Sequence, residues 1–108
     1  MAQAELETRT MKRMMRAVHP GEILREDVIP ALGKPKAEIA RLLGISRQSL
    51  YDVLNEKQPV TTGMALRFAK LTGTTAQSWA QMQLAYDLQV SAAAMAEQLA
   101  AIPTLQAA

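Results

Sequence analysis

The residues best suited to recognition chemistry form a polar cluster at the start of a short amphipathic segment. Arg forks to guanine, Gln pairs with adenine, and a carboxylate accepts a hydrogen bond from cytosine N4. With 3.6 residues per turn, Leu50, Val53 and Leu54 share one helix face, which leaves the polar side chains available on another face. The candidate base-reading residues are Ser46, Arg47, Gln48, Ser49, Tyr51 and Asp52.

Cations and an amide flank this cluster on both sides. Lys36 lies at the start of the preceding segment, whereas Asn55 and Lys57 follow the cluster. Side chains of these types contact phosphates, which fix the register of a protein on a duplex without reading its sequence. Lys36, Asn55 and Lys57 are therefore the candidate phosphate-binding residues.

The run PKAEIARLLGISRQSLYDVL positions the cluster as the second of two closely joined helices. Pro35 suits the first helical position, and Ile39, Leu42 and Leu43 lie on one face of the first helix. Gly44 suits the C′ position that ends it. So short a connection predicts a helix-turn-helix, whose second helix can enter the major groove with its N-terminal residues toward the bases.

The helix start and stop signals along the chain predict five short helices and therefore a compact, all-α bundle. The first helix begins at Pro20-Gly21, with Pro30 near its end, and the fourth stops at Gly73. The fifth runs toward Val90. The predicted N-caps of the third, fourth and fifth helices are Ser46, Thr61 or Thr62, and Thr74 or Thr75.

Composition divides the chain along its length. All Lys and Arg residues lie at or before Lys70, and residues 71–108 carry only Asp87 and Glu97 as charged side chains. We expect a flexible N-terminal arm over 1–15, a helix-turn-helix DNA-binding domain over 16–90, and an Ala-rich helical C-terminal extension over 91–108.

A homodimer is expected because one short reading helix contacts only a few base pairs, each wrong pair costing ~1–3 kcal/mol. Two copies on half-sites about one turn apart, ~34 Å, supply useful selectivity. The candidate dimer contact is the face with Trp79, Met82 and Tyr86, together with the Ala-rich segment 91–101. For Trp79 and Tyr86, core packing is the alternative.

Length and composition exclude several classes of protein. A chain of 108 residues favours one domain, and 49% hydrophobic but only 4% aromatic residues favour helices. The absence of Cys removes disulfides, thiolate nucleophiles and sulfur-ligated metals. No apolar run approaches the roughly 18 residues of a membrane span, and the N-terminus lacks the apolar core of a secretory signal. We therefore expect the protein to be cytoplasmic.

Catalysis has little support in the sequence. His19 is the sole histidine, and no nucleophile motif accompanies it, so we expect it to shape a helix start. Glu22, Glu26 and Asp27 are typical first-turn acids near a helix N-terminus rather than a metal cluster. We expect no enzyme activity, no cofactor and no metal.

Four blocks of the chain resemble one family. Residues 20–73 look like the lambda-repressor-like helix-turn-helix domain of the XRE family. More narrowly, the sequence is similar to HigA-type antitoxins in the blocks HPGEILREDVI, ARLLGISRQSLYDVLNEK, MALRFAKLTGTT and SWAQMQLAYDL, which occur in the family's order. The likeness covers about residues 15–90.

This resemblance implies a specific mechanism. HigA-type proteins dimerise, bind a palindromic operator before their own operon, and silence a HigB-type toxin, an mRNA-cutting ribonuclease. By resemblance, Arg47, Gln48 and Asp52 occupy base-reading positions, and Lys36 and Asn55 occupy phosphate-binding positions. Relatives often have Gly after the Asn, whereas this chain has Glu56, which brings a negative charge near the contact at Asn55.

Two other readings of the same residues remain open. One is a stand-alone XRE-type transcriptional repressor with no toxin partner, which a neighbouring gene for a small ribonuclease would argue against. The other is a protein-interaction module whose helix-turn-helix has lost DNA binding; its mark would be the absence of salt-dependent binding to DNA.

Overall fold

The computed structural model describes residues 16–107, which are helical and contain no strand, as the all-α prediction requires. The predicted arm, residues 1–15, lies outside the described residues. Helix α1 covers 20–32 in three contiguous pieces: Pro20–Ile23, a π-helical stretch Leu24–Val28, and Ile29–Leu32. The helices that follow are α2 Lys36–Leu43, α3 Arg47–Leu54, α4 Thr62–Thr72, α5 Ala76–Ala94 and α6 Ala96–Ala100.

Two boundaries differ from the sequence prediction. Pro35 precedes α2 instead of opening it, because its ψ of 145° is extended rather than helical. Helix α5 continues past Val90 to Ala94, and Met95 interrupts the helix before α6 begins. The described residues after 90 are all exposed, so this extension of α5 depends on helix propensity rather than on burial within the chain.

Hydroxyl caps fix where three helices begin, as the sequence predicts. In each case the side-chain oxygen accepts a hydrogen bond from the backbone N–H three residues further on. The distances are 3.0 Å for Ser46, 3.3 Å for Thr61 and 3.1 Å for Thr75. The starts of α3, α4 and α5 are therefore determined locally.

His19 caps α1, which confirms its predicted structural role. Its Nδ1 accepts a hydrogen bond of 2.9 Å from the Gly21 N–H, and the residue is buried. The imidazole also meets the Tyr86 ring edge-on, with the centroids 5.0 Å apart. One side chain thus starts α1 and attaches it to α5.

The core lies between the helix-turn-helix and the helices α1, α4 and α5. Leu42, which the periodicity groups with Ile39 and Leu43, is 46% exposed, so only the other two belong to the core. The buried apolar residues are Leu24, Ile29, Ile39, Ala40, Leu43, Leu50, Val53, Leu54, Val60, Ala65, Phe68 and Trp79. Because Leu50, Val53 and Leu54 are all buried, one face of α3 is held in the core and its opposite face is turned outward.

The structure corrects the prediction that Trp79 contacts a second copy. The indole is 4% exposed, packs with Phe68 at a centroid distance of 6.2 Å, and donates from Nε1 to the Thr74 hydroxyl at 2.7 Å. Met82 and Tyr86 are half-buried against the same core and against His19. The core alternative is therefore the right one for Trp79.

Gln83 attaches α5 to the segment between α3 and α4. Its Oε1 accepts a hydrogen bond of 2.8 Å from the Val60 N–H, and its Nε2 donates to Asp87 Oδ1 at 2.9 Å. A buried amide satisfied in this way stabilises the fold, because the Val60 N–H would otherwise lack a partner away from water. The segment that follows α3 is thereby fixed at its far end.

Candidate nucleic-acid interface

The turn between α2 and α3 sets the direction of α3, the predicted reading helix. Gly44 has a φ of 73°, and its N–H donates to Arg41 O at 3.1 Å. The next N–H, that of Ile45, donates to Ala40 O at 3.0 Å, which completes a Schellman motif. The predicted C′ glycine is confirmed, and it allows α3 to start after only three residues.

The outward face of α3 carries the predicted base-reading side chains. Arg47, Gln48 and Tyr51 are exposed, whereas Ser49 and Asp52 are half-buried. No hydrogen bond or ion pair holds the Arg47 guanidinium within residues 16–107, and the residue is exposed. An unengaged guanidinium at the first position of a helix suits bidentate recognition of a guanine edge.

The two serines are partly committed to the helix itself. The Ser46 hydroxyl accepts from the Ser49 N–H and donates to Ser49 Oγ at 2.8 Å. Its proton is therefore engaged, whereas the proton of the Ser49 hydroxyl remains available. The structure thus assigns Ser46 first of all to capping.

Gln48 and Asp52 form one unit on this face. Gln48 Nε2 donates to Asp52 Oδ1 at 2.8 Å, the spacing of neighbours one turn apart. The second Nε2 hydrogen and Oε1 remain free, and they are the pair that matches adenine N7 and N6. Asp52 is placed to orient this amide, in addition to the direct contact that the sequence suggests.

Lys36 and Tyr51 meet at the start of α2. The Lys36 Nζ lies 5.6 Å from the centroid of the Tyr51 ring, within the range of a cation–π contact. The contact joins the first residue of α2 to the middle of α3. A predicted phosphate-binding cation and a predicted base-reading side chain thus share one patch.

Asn55 and Lys57 lie at the opposite end of α3, in the loop 55–57. Glu56 between them has a φ of 62°, the one positive φ outside glycine among residues 16–107. The Glu56 and Lys57 N–H groups donate to Val53 O at 3.1 Å and to Asp52 O at 2.8 Å. This is the geometry of the Gly44 turn, so Glu56 occupies a glycine position at a cost of about 1–2 kcal/mol.

Arg25 holds this loop from α1. Its Nη1 donates to Leu54 O at 2.6 Å and to Glu56 Oε2 at 3.2 Å, and its Nε donates to Glu26 Oε1 at 2.9 Å. Hydrogen bonds to Glu26 and then to Glu56 raise the pKa of Arg25 above its ordinary value, so it stays a cation. The sequence analysis missed this residue, because no local signal connects positions about 30 residues apart.

The described residues form neither a metal cluster nor a membrane span. Within 16–107, no three His, Asp or Glu side chains lie close enough together to hold a metal ion. None of the described helices is both long and apolar enough to cross a membrane.

Known proteins with similar sequences match the part of the chain that builds this surface. The helix-turn-helix family model matches residues 24–79. The virulence-associated protein I of Dichelobacter nodosus is 40% identical over 80 residues, which cover 74% of this chain and 74% of that protein. This chain belongs to the helix-turn-helix family.

Solved structures extend the likeness to almost the whole described region. The Pseudomonas aeruginosa antitoxin HigA with the higBA promoter superposes with a TM-score of 0.79 at 33% identity, covering 84% of this chain and 100% of that one. An addiction module antidote protein of a HigA family from Coxiella burnetii gives 0.76 at 32% identity, covering 85% and 100%. The predicted lambda-repressor-like fold and the resemblance to HigA-type antitoxins are confirmed.

Proposed function

We propose that this helix-turn-helix protein is a dimeric antitoxin that binds an operator before its own operon, represses it, and neutralises a HigB-type mRNA-cleaving toxin. The observation that carries the proposal is the outward face of α3, where Arg47 and the Gln48–Asp52 pair lie between Lys36 at one end and Asn55 and Lys57 at the other. Supporting it, the similar P. aeruginosa antitoxin was solved with promoter DNA. Such a role needs no catalytic group or cofactor, so we propose that the protein is not an enzyme. We also propose a cytoplasmic location.

Each side chain of the surface has a proposed task. Arg47 reads guanine and Gln48 reads adenine, with Asp52 orienting the amide. Ser49 and Tyr51 assist at the same groove, and Ser46 acts mainly through the cap. Lys36, Asn55 and Lys57 contact phosphates on either side, which fixes the register of the helix.

We propose that the dimer contact lies on the outward side of α5 and on the residues that follow it. Trp79 is not part of this contact, because it is buried in the core. Leu84 and Leu88 are 57% and 61% exposed and lie one turn apart on α5, and Met95 and Leu99 are further exposed apolar side chains at and beyond its end. Few charges oppose self-association here, since Asp87 and Glu97 are the only charged side chains after Lys70. A second copy, related by a two-fold axis, would cover the same patch on both subunits.

The dimer has a direct test in Leu88→Glu. We expect this variant to sediment as a folded monomer and to lose operator affinity, because a charge must be buried in the contact. Leu66→Glu is the matched control, since Leu66 is 58% exposed on α4. A Leu88→Glu protein that remains dimeric would remove α5 from the interface.

The overall proposal is tested by titrating salt against binding to labelled DNA from upstream of the gene, with a scrambled duplex alongside. We expect selective binding whose log affinity falls linearly with log salt. Co-purification with the product of a neighbouring ribonuclease-like gene, and loss of that product's RNA cleavage, tests the antitoxin half. Selective DNA binding with no such partner would favour a stand-alone repressor, and a folded dimer without DNA binding would favour an interaction module.

Lys36→Ala tests a phosphate contact separately from the recognition of bases. We expect weaker binding to operator and scrambled duplexes alike, and a salt slope lower by about one phosphate per subunit. Circular dichroism should be unchanged, because Lys36 is exposed. An unaltered slope of log affinity against log salt would take Lys36 off the list of phosphate contacts.

A further inference from the structure

Arg25 holds the carboxyl end of α3 through two hydrogen bonds, which together we call the clamp. Its Nη1 reaches both Leu54 O, at 2.6 Å, and Glu56 Oε2, at 3.2 Å. The Leu54 carbonyl is among the last of α3 and has no partner within the helix, so it needs a donor from elsewhere. A cation at this end is also favoured by the helix dipole. The clamp therefore fixes the point where α3 turns into the loop 55–57.

The Glu56 carboxylate places a negative charge where the loop 55–57 is proposed to contact phosphates. It lies between Asn55 and Lys57, the two residues of the loop to which we assign phosphate contacts. A carboxylate there repels the phosphates that its neighbours bind. Its left-handed backbone, with a φ of 62°, directs the chain around the helix end, and the ion pair with Arg25 holds its side chain. Arg25 and Glu56 are each about one-third exposed, so solvent screens the pair only in part.

We propose that Arg25 is a positioning residue for DNA binding: it fixes the loop 55–57 and offsets the Glu56 carboxylate, so that Asn55 and Lys57 meet phosphates. This inference rests on the proposed function for its DNA readout, whereas the effect on the loop is independent of any ligand. It adds to the interface a residue of α1 that lies outside the helix-turn-helix and outside the reading helix.

The test compares Arg25→Ala, Glu56→Gly and the double variant. Arg25→Ala should weaken binding to operator and scrambled duplexes by about tenfold, because it leaves the Glu56 and Glu26 carboxylates without their cation and the Leu54 carbonyl without its charged donor. Glu56→Gly should bind at least as tightly as wild type, since glycine suits this backbone and the charge is gone. The double variant should recover the part of the loss that the Glu56 carboxylate causes. Arg41→Ala is the matched control, since it removes the same charge from an exposed side chain of α2.

Amide exchange at Lys57 gives the second readout, which does not need DNA. Its N–H donates to Asp52 O at 2.8 Å, and we expect faster exchange in Arg25→Ala than in Arg41→Ala. If Arg25→Ala does not fold, Arg25→Met, which keeps the alkyl stem, takes its place. Wild-type affinity and exchange in a folded Arg25 variant would overturn the inference, as would an affinity loss that Glu56→Gly does not relieve. Absence of DNA binding by the wild type would overturn the proposed function instead, and the exchange rate would still decide whether Arg25 fixes the loop.

Discussion

Gly21→Ala is expected to destabilise the domain by at least ~3 kcal/mol, the upper range for overpacking a filled core. A Cβ at Gly21 would lie 2.1 Å from the carbonyl oxygen of Val53, 3.2 Å from its carbonyl carbon, and 3.0 Å from His19 Nδ1. The closest of these atoms belongs to the backbone of α3, so rotation of a side chain cannot relieve the clash. Either α1 or α3 must move, and the His19 cap moves with it.

The measurement is a thermal melt, with Gly63→Ala as the matched control. For a domain of this size ~3 kcal/mol lowers Tm by about 12–24 °C. Nothing lies within 4 Å of a Cβ at Gly63, inside α4, so the same substitution there should raise stability by about 0.5–1 kcal/mol. Equal melting of Gly21→Ala and wild type would show that α1 does not pack closely on α3.

The same variant connects packing to function. Val53 is a buried residue of α3, opposite the face that carries Arg47 and Gln48. A shift of α3 that accommodates the new methyl group would also move the reading face. We therefore expect any Gly21→Ala protein that still folds to lose operator selectivity, whereas Gly63→Ala should keep it.

The sequence predicts those features of the fold that have local causes. The caps at Ser46, Thr61 and Thr75 and the turn at Gly44 each depend on residues within a few positions, and the structure has all four. The buried face of α3 follows from the helical period alone. The end of α5 does not, because the Ala-rich residues after 90 carry no stop signal before Met95.

Features that depend on distant residues are not predictable in this way. Trp79 falls at a helical spacing with Met82 and Tyr86 that suits a surface as well as a core, and only packing against Phe68 decides between them. Arg25 resembles any surface cation until α1 brings it to the end of α3. The departure at Glu56 was visible in the sequence, but its partner was not.

Arg47→Ala is expected to reduce preference for the operator by ~1–3 kcal/mol per half-site, which is about 5- to 150-fold. A dimer on a two-fold operator loses the contact twice, so the total effect approaches double that free energy. Melting should be unchanged, because the side chain is exposed and has no hydrogen bond or ion pair within residues 16–107. The measurement is the ratio of affinities for operator and scrambled duplexes, with Arg41→Ala as the control for charge.

That ratio separates reading from positioning at the same interface. An Arg that contacts a base changes the ratio, whereas Lys36 or Arg25, acting through phosphates, should lower both affinities and leave the ratio nearly constant. If Arg47→Ala instead lowered both affinities equally, its guanidinium would belong with the phosphate contacts. Reading would then depend on the Gln48–Asp52 unit, and Gln48→Ala would be the variant that abolishes selectivity.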